Sequence, residues 1–190
     1  MRILMVGAAG VLGRHTLPHL RDHEVMGTTR TSAKLEVVAT LGAQPSRVDV
    51  YEPGALARVA SAFAPDVVVN FLTDLAAGPG PANARIRAEG GPIVSAAARA
   101  SGARRLVVES ISFEAPPASA AAVAALESDA TTSSLTCVIL RFGRFWGPGT
   151  WDARPPAPPA IFIAEAGARA AELIVRGEAG VHVVVDPTAD

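Results

Sequence analysis

One cysteine, one tyrosine and one lysine stand among 190 residues, and each scarcity excludes something. Cys137 alone can form neither an internal disulfide nor a zinc cage, and its run LTCVIL is the setting of a small buried hydrophobe. A reducing compartment fits. An excess of either charge is missing too, since 17 basic residues face 18 acidic ones. That balance leaves no electrostatic footprint for nucleic acid or anionic lipid, and neither partner is expected. No apolar run approaches the ~18 to 20 residues of a membrane span. The first strand begins at Arg2, which leaves no room for a signal peptide before it. The expected location is the cytoplasm.

What is present is a chain with 49% hydrophobic residues, enough for one core, so residues 1–190 are expected to form one domain. Strand-sized apolar runs alternate with stretches of helical period, which is the pattern of βαβ units feeding a parallel sheet. Strands are expected at 2–6, 24–29, 67–71, 105–110 and 135–140, with a shorter one near Arg47–Val50 and a last one at Val181–Val185. Helices are expected at 11–22, 32–42, 53–63, 82–101, 118–129 and 162–176. Gly90-Gly91-Pro92 should kink or split the fourth of these. The segment WDARPPAPP at 151–159 has no periodicity and reads as an extended Pro-rich connection over about 150–160. The fold class is α/β: a Rossmann-like doubly wound parallel sheet of about seven strands with helices on both faces.

Directly after the first strand comes Gly7-Ala8-Ala9-Gly10-Val11-Leu12-Gly13, with GxxGxxG spacing, opening into a helix. Gly7 permits a sharp turn, Gly10 lets main-chain N–H groups approach a pyrophosphate, and Gly13 lets the helix pack on the sheet. The helix start then offers free amides and a positive dipole end to the anion. Gly7, Ala9, Gly10, Val11, Leu12 and Gly13 are therefore candidate dinucleotide-binding residues. A tight turn without a ligand is the alternative.

At the end of the second strand a carboxylate would bond the ribose of NAD, whereas a cation accommodates the 2′-phosphate of NADP. The chain has Gly27-Thr28-Thr29-Arg30-Thr31-Ser32 there and no acid. Arg30 can contact a phosphate bidentately, Thr31 and Ser32 can donate hydroxyls, and Lys34 follows. NADP is favoured over NAD. A solvated strand-end charge is the other reading of Arg30, and Arg14 is a second candidate for the phosphates.

With these residues assembled, the chain resembles the short-chain dehydrogenase/reductase superfamily, in its extended or atypical NAD(P)-dependent epimerase/dehydratase-like branch. The resemblance runs through VGAAGVLGRH at 6–15, GTTR at 27–30, Asp49-Val50, PDVVVNFLTDL at 65–75, NARIRAEGGPIVSAAARASGARRLVVESISF at 83–113, LRFGRFWGPGT at 140–150 and FIAEAGARAAELIVRGEAGVHVVVD at 162–186. It implies that Asp49 and Val50 lie at the adenine. It also implies that Asn70, Phe71 and Leu72 pass beneath the ribose and the diphosphate-nicotinamide half, that Ser110 and Ser112 flank the reacting centre, and that Pro148 in its Gly-Pro-Gly turn lies near the nicotinamide carboxamide. Strand-end capping by the two serines, and a turn-forming Asp49, are the structural alternatives.

Two departures follow. The superfamily's Tyr-x-x-x-Lys pair needs a cation beside the phenol, because an unperturbed tyrosine near pKa ~10 is too weak an acid-base at neutral pH. The segment 113–130 contains neither residue, and the one tyrosine is Tyr51. The substrate-binding portion that extended members carry after the Gly-Pro-Gly turn is reduced here to the short bridge Thr150–Ala160. A substrate pocket is expected to be shallow, open to water, or completed by a partner chain.

Glu109, Ser110 and Ser112 remain as candidate catalytic groups, with Glu114, Asp74 and the histidines behind them. Glu109 can face the pocket or be a buried structural carboxylate. His15, His19 and His23 recur every four residues without supporting carboxylates, so a solvated helix face is expected and no metal. His182 reads as surface or satisfied core, and Trp146 and Trp151 as aromatic packing or a stacking platform. Three functions fit: an NADP-dependent oxidoreductase or epimerase-like enzyme acting on a small molecule with a substitute acid; a cofactor-binding protein without turnover, similar to the NmrA-like redox sensors; or a non-redox cyclase or lyase on the same fold. A homodimer through the Ala-rich helices 82–101 and 118–129 is also compatible with the sequence.

Overall fold

Valine, isoleucine and leucine crowd the strands because both faces of the sheet are covered. A computed structural model describes residues 1–75 and 80–187. In it seven parallel strands form one sheet: β1 (Arg2–Val6), β2 (Glu24–Thr29), β3 (Gln44–Arg47), β4 (Val67–Asn70), β5 (Arg105–Ile111), β6 (Thr136–Phe142) and β9 (Gly180–Val184). Their order is β3-β2-β1-β4-β5-β6-β9. A separate two-stranded sheet pairs β7 (Arg144–Trp146) with β8 (Ala160–Phe162), an addition that the sequence pattern did not announce.

The helices are α1 (Val11–Thr16), α2 (Leu35–Thr40), α3 (Ala55–Phe63), α4 (Pro81–Arg85), α5 (Gly91–Ala100), α6 (Pro117–Thr131) and α7 (Ile163–Arg176). Alternation along the strands sorts the core into two layers. Ile3, Met5, Val69, Val107 and Leu140 pack with Leu12 of α1 and Ala170 and Ile174 of α7. Leu4, Val6, Val68, Leu106 and Ile139 pack on the other face with Leu56 of α3, Val94 of α5 and Leu126 of α6. Fully burying each large side chain contributes roughly 1.5–3 kcal/mol. The Rossmann-like doubly wound sheet is thus the observed architecture.

Three local expectations need correction, and a fourth is met in a particular form. The helix expected over 11–22 ends at Thr16 and passes into a 3-10 turn, Leu17–Leu20, because Pro18 lacks the N–H a continuing α-helix needs. His23 consequently lies beyond it, and the three histidines do not form one helical stripe. The helix expected over 32–42 begins with a 3-10 turn, Ser32–Lys34, before α2. The short strand is Gln44–Arg47 rather than Arg47–Val50. The split expected at Gly90-Gly91-Pro92 is present, and it takes the form of a π-helical turn, Ile86–Gly90, joining α4 to α5. Pro92, at the start of α5, removes one N–H from the ladder, and the wider turn accommodates the loss.

No helix of the described residues is long and apolar enough to cross a membrane.

Candidate functional site

Strand order reverses between β2-β1 and β4-β5, and in open α/β sheets ligands bind outside the carboxyl ends of the strands at that switch. The register brings those ends level: Val6 of β1 lies opposite Thr28 of β2 and Asn70 of β4. A cavity of about 830 Å³ opens there.

Its first wall is the glycine turn. Gly7 has φ +89°, and a Cβ on it would come within 2.6 Å of the Phe71 carbonyl oxygen. A Cβ on Gly13 would come within 2.5 Å of the Ala8 carbonyl oxygen, so only glycine lets α1 seat against the turn. Gly10 differs: its Cβ would meet only the Gly7 carbonyl, at 3.1 Å, and Gly10 itself lines the cavity. Gly7, Ala9 and Val11 line it too, while Leu12 is buried in the core. The first turn of α1 has no side-chain cap, which leaves its N–H groups to a ligand or water. A cradle shaped by absent side chains and edged with unpartnered amides fits a pyrophosphate.

The second wall carries the charges. Thr28, Thr29, Arg30 and Lys34 border the cavity, and Arg30 donates to Asp74 at 3.2 Å. Asp49 and Val50 line it as well, with Asp49 also accepting from the Tyr51 N–H at 3.0 Å. Phe71 and Leu72 form its floor. Asn70 is buried and accepts from the Leu72 N–H at 3.1 Å; it shapes the turn below the cavity. Pro148 does not line the cavity, but its neighbour Gly149 does. Close to Pro148, partial burial lowers the pKa of His15, with the Pro148 backbone opposing that shift.

At the end of β5 the residues facing the cavity are Glu109, Ile111 and Phe113. The two serines between them do not line it. Ser110 is fully buried and donates to Glu127 of α6 at 2.5 Å, and the Ser112 hydroxyl is buried without a partner. Glu127 also accepts from the Arg141 guanidinium at 2.9 and 2.6 Å, which holds its carboxyl below the ordinary range. Strand alternation puts the two sets on opposite faces, and only the tertiary structure decides which face meets the cavity.

Glu109 resolves its own ambiguity, being both buried and on the cavity lining. Arg87, on the π-helical turn, donates to both of its carboxylate oxygens at 3.1 and 3.0 Å. Burial pushes the Glu109 pKa up and Arg87 pulls against it. Arg87 escaped sequence reasoning because a helical arginine looks solvated until the π turn directs it inward.

Helix α6 presents two residues to the cavity, Ser119 and Val123. Their i, i+4 spacing equals that of a Tyr-x-x-x-Lys pair, but they carry a hydroxyl and an apolar side chain. The bridge itself contributes Thr150, Trp151 and Asp152 to the far wall. Trp146 packs on Phe162 at 4.7 Å between ring centroids and donates to Asp186 at 2.7 Å, so its role is packing. His182 hydrogen-bonds the Glu178 carbonyl oxygen at 2.9 Å. Among the described residues no cluster of three or more His, Cys, Asp or Glu is placed to hold a metal ion.

The profile of the NAD dependent epimerase/dehydratase family matches residues 3–134. The chain belongs to this family. A curated relative, a 3-diazoavenalumate denitrifying reductase from a Streptomyces species, is 35% identical over an alignment of 187 residues, covering 81% of this chain and 59% of the relative. The chain thus spans about three-fifths of that relative's length. Among solved structures, the Bordetella bronchiseptica enzyme WbmG in complex with NAD shares the fold with TM-score 0.79 and 22% identity, over 97% of this chain and 72% of that one. The Thermus thermophilus UDP-glucose 4-epimerase complexed with NAD matches with TM-score 0.78 and 21% identity, over 97% of this chain and 78% of that one. In this member of the epimerase/dehydratase family, residues 113–130 contain neither tyrosine nor lysine.

Proposed function

We propose that this chain is an NADP(H)-dependent reductase of a small molecule whose reduction requires no proton from a tyrosine. The observation that carries the reading is the pairing of the open glycine cradle with a cavity whose α6 wall is Ser119 and Val123. The cradle of Gly7, Ala9, Gly10 and Val11 would hold the diphosphate. Asp49, Val50, Phe71 and Leu72 would border the adenosine half, and Arg30, with Thr31, Ser32 and Lys34 beside it, would take the 2′-phosphate. The chemistry a reduced nicotinamide supplies when bound is hydride donation.

Carbonyl reduction creates an alkoxide that must be protonated, and the superfamily's phenol and ammonium do that work. Val123 cannot lower the pKa of a neighbouring hydroxyl, and the Ser119 hydroxyl is a far weaker acid than a phenol. An acceptor that loses its charge on taking up hydride makes no such demand. A diazonium group is one: Ar–N₂⁺ + H⁻ gives Ar–H + N₂, with the electron pair of the hydride ending in the new C–H bond. The name of the Streptomyces relative specifies a diazo substrate and reductive loss of nitrogen, which supports this class for the present chain. In this reading Ser119 orients the substrate, and the Arg87–Glu109 pair holds the end of β5 rigid without exchanging protons.

The test is NADPH oxidation at 340 nm with an aryl diazonium salt and with a panel of ketones and aldehydes. Turnover of the diazonium salt alone supports the proposal. Turnover of carbonyls at comparable rates overturns it, and tight NADPH binding with no turnover of either favours a redox sensor.

A further inference from the structure

Beyond Ile111 the cavity changes character. Three of the six phenylalanines in the chain, Phe113, Phe142 and Phe145, line it there, apart from Phe71 of the floor. Trp151 adds an indole that is 66% exposed at the rim. Such a wall favours a flat π system.

Four arginines border the same space, and they are not equivalent. Arg30 is bonded to Asp74 and Arg87 to Glu109, while Arg14 lies against the Gly149 turn beside the cradle. Arg144, at the start of β7, makes no ion pair with any described residue. Its guanidinium instead stacks over the Phe113 ring at 4.5 Å. A half-buried cation over an aromatic ring, whose N–H groups donate to no described residue, is built to receive an anion. Glu114 and Asp152 line the cavity as well, so each further negative charge brought there is opposed, and a single carboxylate on Arg144 meets less repulsion than a doubly charged diphosphate would.

We propose that the substrate is a planar aromatic carboxylate, its ring against Phe113, Phe145 and Trp151 and its carboxylate on Arg144. This rests on the reductase reading, which supplies the neighbouring nucleotide, and it adds the specificity-determining residue.

Binding is tested by calorimetry with 4-hydroxycinnamate, its methyl ester and UDP-glucose, using protein titrated first with NADP⁺. On the NADP⁺-loaded protein the acid is expected to bind at least about tenfold more tightly than the ester, the worth of one charge-assisted hydrogen-bonded pair. Arg144→Met should remove that preference by weakening the acid alone, with NADP⁺ affinity and thermal midpoint unchanged. Arg144→Lys should restore part of the preference. Equal affinity for acid and ester, tighter binding of UDP-glucose than of the acid, or an unchanged preference in Arg144→Met would each overturn the inference. Failure of NADP⁺ to bind overturns the reductase reading and this inference with it, whereas NADP⁺ binding without acid preference overturns the inference alone.

Discussion

Arg30, at the carboxyl end of β2, donates to the carboxylate of Asp74, which follows β4, at 3.2 Å across the mouth of the cavity. Both side chains border the region where an adenosine phosphate would sit, so a phosphate must compete with Asp74 for the guanidinium. The pair is solvent-exposed on the arginine side, and such pairs contribute only about 0.2–1 kcal/mol. Asp74→Asn should therefore raise NADPH affinity by about two- to fivefold. Arg30→Glu should lower NADPH affinity by at least about tenfold, with NADH affinity unchanged. Fluorescence titration of both nucleotides checks this, and equal losses for the two would refute the NADP assignment.

The three loop glycines separate folding from binding. Gly13→Ala forces a Cβ onto the Ala8 carbonyl oxygen at 2.5 Å and should cost roughly 1–3 kcal/mol of stability. Gly10→Ala meets only a 3.1 Å neighbour and should melt within ~2 °C of the parent. It should nevertheless lose nucleotide affinity, because its methyl group occupies the phosphate's approach. Thermal unfolding run beside nucleotide titration tells the two apart.

Ser110 tests which face of β5 does chemistry. Its hydroxyl is committed to Glu127, so Ser110→Ala should cost about 1–2 kcal/mol of stability while leaving kcat/KM within ~twofold. Ser119→Ala should do the reverse, lowering kcat/KM at constant thermal midpoint. Loss of turnover in Ser110→Ala at unchanged stability would return that serine to the reacting centre.

Acid sensitivity follows from Glu127. The Arg141 hydrogen bonds hold its folded pKa below the ordinary 4.5, partial burial opposes them, and Ser110 adds to the lowering. The stabilisation it provides is therefore present above pH 4.5 and disappears as pH falls through the lowered value. His15, also lowered in the folded state, adds a loss that begins below its ordinary 6.5. Glu109 acts in the opposite sense because its folded pKa is raised. Glu127→Gln isolates the first contribution. It should be about 1–3 kcal/mol less stable than the parent at pH 7, and the gap should narrow below pH 4.5. Urea unfolding at several pH values measures it.

Much of this was readable along the chain. Alternating apolar and helical segments pointed to the doubly wound sheet, and GAAGVLG after RILMV located the cradle, because both depend on contacts within about a dozen neighbouring residues. The Ser110–Glu127 and Arg87–Glu109 partnerships were not readable. They join β5 to α6 and to the helix before β5, and no local pattern marks a serine as turned from the cavity or an arginine as turned into it.

The amino-acid order by itself determined the strand and helix sequence, the glycine turn, the basic end of β2 and the loss of the phenol-ammonium pair, all of which are matters of residue type and near spacing. Tertiary structure alone decided that Glu109, Ile111 and Phe113 face the cavity, that Asp74 occupies Arg30, and that Arg144 rests on Phe113 with no ion pair among the described residues. Those outcomes depend on how strands fall into register and on where one π-helical turn rotates a helix, and both are fixed only when the two layers close on the sheet.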